Sequence, residues 1–316
     1  MCENFSTKTI ISFTNILVDM EKFFNYIPVR DIAFERKNNR KKRIENVFNI
    51  EDKQEDVPSG AIVCVKWRNQ ERGTIIKTAS IVRNSNRNKA KRDKYFLNSI
   101  TTIMYVSNEK YKDKLINLKI TNTGRIQMTG CKEDELTVYC ITSLLKTMDQ
   151  VKEWTGVELY TINHSLSDTV IPTKDIIIIL YTVMKNKNIN LGFKINREKL
   201  DSIINKNYQD YISIFDGTTS GAGVNIKTKI LRWEENLPMY VVKDVEKGIC
   251  FKEEINAEKV IKTFTKSNKY NLNKFHTFLC FKSGSCIHSG RGDDMGEALD
   301  KFVNILETNR HIIEDV

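Results

Sequence analysis

One pattern occurs twice in this chain, and an internal duplication constrains a fold more than any single motif does. Residues 118–132 read LKITNTGRIQMTGCK and residues 278–292 read FLCFKSGSCIHSGRG. In each copy a strand-like run reaches a Gly, a second strand-like run follows, a Thr-Gly or Ser-Gly closes it, and an amphipathic helical pattern comes next. Gly124 matches Gly284 and Gly130 matches Gly290, each 160 positions further on. The chain therefore reads as two similar halves.

The flanking segments carry the same order of elements. In the first half, 8–151, a β-branched and aromatic run at 8–17 predicts a strand and 21–27 a short helix. Strand-like runs at 61–67, 74–82, 95–106 and 115–120 follow, interrupted by charged inserts near 34–57 and 83–94. From Glu133 to Met148 the period changes to that of a helix, with Leu136, Cys140, Leu144 and Met148 at intervals of four. Residues 152–174 have little periodicity and read as a linker. The second half, 175–316, opens with an apolar strand, DIIIILYTVM at 175–184. A helix N-capped by Asn196 follows, with Leu200 and Ile204 facing inward. In the last helix Met295, Ala298, Leu299, Phe302, Ile305 and Leu306 form an apolar stripe, and Asp293 and Asp294 suit its N-terminal end. Each half reads strand, helix, several strands, helix, so the class is α+β.

Side chains alternate across a strand, which lets each hairpin be read face by face. With each Gly in a three-residue turn, Leu118, Ile120, Ile126 and Met128 share one face of the first hairpin, and Lys119, Thr121, Gln127 and Thr129 the other. The same register puts Phe278, Cys280, Cys286 and His288 on the first face of the second hairpin, and Leu279, Phe281, Ile287 and Ser289 on the other. The helix after each hairpin is expected to cover the first face and to leave the second uncovered. An uncovered face carrying Leu279, Phe281 and Ile287 calls for a ligand.

Composition narrows the class of function. The 316 residues are 40% hydrophobic, enough for a real core, and 50 Lys and Arg against 40 Asp and Glu give a net charge of +10, which suits a polyanionic partner. Seven Cys without close pairs fit a reducing, intracellular compartment, and no signal sequence or membrane-length apolar run is read. No Walker loop, dinucleotide GxGxxG, HExxH or nucleophile elbow occurs, so neither an enzyme nor a cofactor is expected. His276, Cys280, Cys286 and His288 share a hairpin face, but they lack CxxC or HxxxH spacing and fall beneath the last helix, so no metal is assigned. The alternative readings are local: Thr129 and Ser289 as helix caps, Asn15 as a strand residue, Leu279, Phe281 and Ile287 as core under an insert.

The hairpin, the Thr-Gly or Ser-Gly and the following helix, present twice, resemble the TATA-box-binding protein family, in particular its divergent members in large nucleocytoplasmic DNA viruses. GRIQMTGCK at 124–132, FTNIL at 13–17 and GFKINREKL at 192–200 carry the resemblance. It implies a saddle: two pseudo-symmetric repeats forming one curved antiparallel sheet, helices on the convex back, and a concave face seated on the minor groove of promoter DNA. The implied contact residues are Asn15 and Leu17 of the first strand, Lys119, Thr121, Gln127 and Thr129 of the first hairpin, and Leu279, Phe281, Ile287 and Ser289 of the second. Phe281 falls at a wedge position whose first-repeat counterpart is Thr121, and alignment from Phe193 places Met184 opposite Asn15. The implied partners are double-stranded promoter DNA, a transcription factor IIB-like protein and RNA polymerase. The implied locations are the host nucleus, a cytoplasmic viral factory or the virion. A structural or scaffolding protein that keeps the fold but binds protein, or nucleic acid without sequence preference, stays open as the alternative.

Overall fold

The computed structural model describes residues 6–34, 57–73, 75–77, 98–164, 175–218, 221–232, 234–265 and 274–315. Most of both charged inserts, near 34–57 and 83–94, lies outside the described residues. In chain order the elements are β1 (Thr7–Thr14), β2 (Ile16–Val18), α1 (Met20–Tyr26), β3 (Ile32–Phe34), β4 (Ile62–Trp67), β5 (Gln70–Arg72), β6 (Ile75–Lys77), β7 (Ser99–Val106), β8 (Lys114–Thr121), β9 (Ile126–Thr129), α2 (Asp134–Thr155) and β10 (Tyr160–Ile162). They continue with β11 (Ile176–Asn190), α3 (Arg197–Asn207), β12 (Tyr211–Ile214), β13 (Val224–Lys229), β14 (Asn236–Asp244), β15 (Ile249–Asn256), α4 (Ala257–Thr265), β16 (Phe275–Cys280), β17 (Ser285–Gly290), α5 (Met295–Thr308) and α6 (Arg310–Ile313).

One open antiparallel sheet of 13 strands organises these elements, in the order β12-β13-β16-β17-β11-β1-β9-β8-β7-β4-β5, with β14 and β15 added along the free part of β11. Outward from the central β1–β11 pair the order matches on both sides for four strands, hairpin second strand, hairpin first strand, then two strands from earlier in that half, and β5 adds a fifth on the first side alone. Two small sheets, β10-β2 and β3-β6, lie apart from it. No helix of the described residues is long and apolar enough to cross a membrane.

The matching extends to single hydrogen bonds. Asp19 and Asn196 each cap their helix by accepting from a backbone N–H three residues on, Lys22 and Lys199. Just before each cap, Val18 N donates to Asn122 O (2.9 Å) and Ile195 N to Lys282 O (3.0 Å), tying the chain entering the helix to its hairpin turn. Gly124 N donates to Thr121 O (3.1 Å) and Gly284 N to Phe281 O (3.0 Å), and both glycines have positive φ, 70° and 83°. Both turns are thus three-residue hairpins closed by a left-handed residue. A Cβ at Gly124 would lie 2.3 Å from Ile16 O, and one at Gly284 1.9 Å from Phe193 O. Gly124 and Gly284 are there because the backbone leading into each half's first helix leaves no room for a side chain.

The hairpin faces sort as their alternation predicts. Leu118, Ile120, Ile126 and Met128 are buried with Leu136, Cys140, Ile141, Leu144 and Met148 of α2. Phe278, Cys280 and Cys286 are buried with Leu299, Phe302 and Leu306 of α5. The predicted strand at 8–17 is divided at Asn15, and the strand opening the second half runs on through Lys185–Asn190. The stretch read as a linker begins inside α2, which continues to Thr155, and Tyr160–Ile162 pairs with β2; 165–174 lie outside the described residues. The weak periodicity there reflects a helix end followed by one short strand, each with few buried positions.

The expectation of an uncovered second face needs correction. Residues 236–265, unassigned from sequence, form a hairpin and a helix, and the helix returns onto that face. Ala257 and Val260 of α4 pack with Ile11 and Phe13 of β1, Ile177 and Ile179 of β11, and Leu237, Met239 and Val241 of β14, and Phe264 joins from the edge of the cluster. The Phe13 and Phe264 rings lie 5.3 Å apart. An irregularity in the β1–β11 register marks the limit of this cover: Thr9 pairs with Met184 but Ile10 with Thr182, leaving Val183 as the extra residue. The bulge changes the parity of β11, so Ile177, Ile179 and Tyr181 before it share a face with Asn186, Asn188 and Asn190 after it.

Replacing Gly284 with Ala is expected to destabilise the protein by about 2 kcal/mol or more, through positive φ and the contact with Phe193 O together. Gly156→Ala, at a helix C-cap where nothing lies within 4 Å, shares only the positive φ and should cost less. Urea denaturation of both variants checks the order; equal losses would mean that backbone conformation, and not the close approach, sets the cost.

Candidate functional site

The face left open by the helices is built from cross-strand rows, because partners in an antiparallel pair present their side chains on the same side. In the first half one row runs Thr9, Thr129, Asn117, Ile103, Cys64 and the next runs Ile11, Gln127, Lys119, Thr101, Lys66. In the second half the matching rows run Asn186, Ser289, Thr277, Lys227, Ile212 and Asn188, Ile287, Leu279, Asn225, Ile214. These rows consist of hydroxyls, amides, aliphatics, three lysines and the buried Cys64; Ile11 among them lies under α4, and the second row continues past Lys66 to one carboxylate, Glu71 of the edge strand β5. Glu71 at the rim pairs with Lys66 at 2.9 Å.

The halves fill the same grid differently. Lys119 and Gln127, direct cross-strand partners, stand where the second half has the partners Leu279 and Ile287. At the outer edge Ile212 and Ile214 are about half exposed, where the first half has Cys64 and Lys66. Aliphatic surface is thus concentrated on one wing, and hydrogen-bonding groups on the other.

Eight of the ten sequence-derived contact residues come together on this face or at its turns. Lys119, Gln127 and Thr129 lie on adjacent strands, as do Leu279, Ile287 and Ser289, while Thr121 and Phe281 occupy matching positions at the entry to the two turns. Asn15 and Leu17 lie elsewhere. Asn15 is fully buried: its Oδ1 accepts from Ile177 N (2.9 Å) and its Nδ2 donates to Asp175 O (2.9 Å), which ties the end of β1 to the start of β11. Leu17 is exposed, but on β2, opposite Thr161 of β10 in a separate two-stranded sheet. Matching Asp19 with Asn196 puts Thr7, not Asn15, at the position of Met184. The local match at 13–17 and the helix caps thus imply different registers for the first strand.

Several face residues were missed from sequence. The alternation Lys-Asn-Lys-Asn-Ile-Asn at 185–190 signals a strand with one amide face, but polar residues on both sides conceal it. Thr101, Asn117, Asn225 and Lys227 are placed only by their cross-strand partners.

Neither a protein-family model nor a curated protein matches the chain. Among solved structures it is similar to "Methanococcus jannaschii TBP", with 9% sequence identity and a TM-score of 0.42 over 96% of this chain and 98% of that one.

Beneath the second hairpin, the His and Cys residues considered for metal serve one another. Asp294 Oδ1 accepts from His276 Nε2 (3.1 Å), and Asp294 Oδ2 accepts from Leu231 N (2.8 Å). His276 Nδ1 is then left as acceptor for His288 Nε2–H (3.2 Å), so both imidazoles are neutral. Phe278 stacks between His288 (4.4 Å) and Phe302 (3.9 Å). Cys280 Sγ and Cys286 Sγ lie 3.1 Å apart across the strands. Among the described residues no group of three or more His, Cys, Asp or Glu is arranged to hold a metal ion.

Burial depresses both histidines: His288 to about 3, with the neighbouring His276 and Lys187 adding to the shift, and His276 less, because Asp294 opposes it. In the unfolded chain both return to the ordinary value of 6.5. A depressed pKa stabilises the fold above 6.5, and that contribution is lost as pH falls toward 3. The protein should therefore lose stability progressively below pH 6.5. His288→Met, which installs the residue found at matching position 128, should flatten that slope. Urea midpoints measured against pH decide it; an unchanged slope in the variant would remove His288 from the account.

Proposed function

We propose that this protein binds duplex nucleic acid on the open sheet face, along the minor groove, and acts as a TATA-box-binding-protein-like factor in transcription initiation. The observation that carries the proposal is the chemistry of the rows: hydroxyls, amides and aliphatics at the centre, lysines among them and a single carboxylate, Glu71 at the rim, ion-paired with Lys66, in a chain of net charge +10. The minor groove displays acceptors and an apolar floor between two phosphate walls, so a shallow face of this composition complements it. Thr129, Ser289, Gln127 and the asparagines would meet base edges, Leu279 and Ile287 would lie along the floor with Phe281 at the turn, and Lys119 would meet phosphate.

In this reading the halves 8–151 and 175–316, joined through 152–174, are copies of one unit, and the contact is directional because their open faces differ. Recruitment of a transcription factor IIB-like protein and RNA polymerase, and a place in the nucleus, a viral factory or the virion, belong to the same proposal through the family resemblance. The alternative of a protein-binding scaffold has one observation in its favour: α4, an amphipathic helix, already sits on this face.

Binding of fluorescent A·T-rich and G·C-rich duplexes at fixed salt separates the two. The expected outcome is preference for A·T-rich duplex and an affinity loss of about tenfold or more, ~1.4 kcal/mol, in Leu279→Asp. Lys119→Ala should lower the slope of log affinity against log salt by about 1. No binding to either duplex would leave the scaffold reading.

A further inference from the structure

We propose that α4 is a built-in cover of the ligand face, and that it must leave the sheet before a duplex can contact the central strands. This rests on the reading of the open face as a nucleic-acid site and adds its regulation.

A helix with its side chains is about 10–12 Å across. α4 packs over Ile11, Phe13, Ile177 and Ile179, and Ile11 is the direct cross-strand neighbour of Gln127. A duplex in van der Waals contact with Ile11 and Phe13 and a docked α4 are mutually exclusive.

α4 also hides apolar side chains on the face it covers. Ile11 and Phe13 lie on the open face, one and two rows beyond Thr9, and are nearly inaccessible. Their second-half counterparts, two and four residues beyond Asn186, are Asn188 and Asn190, both exposed. The chain thus carries apolar side chains at the covered positions and amides at the matching uncovered ones. Phe13 also lies beneath the guanidinium of Arg125 in the first hairpin turn, 5.6 Å from its ring centroid. Removing α4 would place an aromatic beside the first turn, as Phe281 already stands beside the second.

α4 has nine residues, too short to persist as an isolated helix in water. The contacts that dock it on the central strands are apolar and come from Ala257, Val260 and Phe264. The hairpin that carries it is anchored independently, since β14 pairs with β11 from Ile176 to Ile179 through the main chain. The helix can therefore come away without disturbing the strand ladder, and the apolar surface it uncovers is available to the ligand that displaces it.

Hydrogen exchange on the full-length protein, free and with a short A·T-rich duplex, tests this directly. Amides of 257–265 are expected to lose protection on binding while those of 127–129 and 285–290 gain it. Val260→Ala combined with Phe264→Ala should weaken docking and tighten duplex binding by about tenfold, because the uncovered state no longer has to be paid from binding. The cover is refuted if 257–265 keep their protection in the complex. It is equally refuted if the double variant, with α4 shown to be loosened by its own exchange, binds no tighter than the wild type. In both of those cases duplex still binds and Leu279→Asp still weakens it, so the reading of the face survives. If neither protein binds duplex, the reading of the face fails, and the cover with it.

Discussion

The antiparallel pairing of β1 with β11, and the single extra residue within it, is the constraint on which the rest of the architecture depends. This pair joins the two halves into one sheet. The bulge at Val183 decides which residues of β11 lie on which face. Without the extra residue, Ile177, Ile179 and Tyr181 would share a face with Lys185, Lys187 and Ile189, and the apolar run that anchors α4 would point toward the helices. A one-residue slip in a strand transfers every side chain beyond it to the other side of the sheet. The bulge therefore allows one strand to offer a dry, coverable face at its beginning and an amide face at its end.

What the halves share is a main-chain frame, and what they do not share is its filling. The helix caps at Asp19 and Asn196, the turn glycines, and the bonds from Val18 and Ile195 to the turns all act on backbone groups. Side chains have diverged within that frame on both faces. Beneath the hairpins, Ile116 and Met128 of one half stand where the other has the hydrogen-bonded pair His276 and His288. A buried polar pair costs least when its partners are complete; Asp294, itself held by two backbone N–H groups, supplies one for His276, while His288 Nδ1 is buried without a partner. On the open face the change runs in the other direction, from Lys119 and Gln127 to Leu279 and Ile287.

This division explains what could be read from the sequence. The glycine turns, the alternation through 118–129 and 278–289, the Asn196 cap and the stripe of the last helix are local signals, each enforced by backbone geometry or by one apolar face. All are found in the fold. Asn15 is not a signal of this kind: the match at 13–17 and the helix cap at Asp19 imply different registers, and the Asn15 side chain is hydrogen-bonded to the backbone of Asp175 and Ile177. Residues 236–265 were illegible for another reason. Nothing within that segment states that its helix will fold back onto β1, because its buried stripe is short, Ala257, Val260 and Ile261 with Phe264 partly buried, and its partners lie in both halves of the chain.

The cover also resolves a difficulty that the open face would otherwise create. Ile11, Phe13, Ile177 and Ile179, together with Leu237, Met239 and Val241, form a continuous apolar surface at the centre of a sheet already flanked by Leu279, Ile287, Ile212 and Ile214. Left in water, a patch of that extent favours association between copies. Replacing it with polar residues would remove the association but also the apolar surface that a ligand could use. A short amphipathic helix on an independently anchored hairpin does neither. It buries the patch when the protein is alone, and because its own stability comes from the same contacts, any ligand that competes for those side chains also melts the helix that protects them. Exposure of the central surface is thereby linked to the presence of something to bind it.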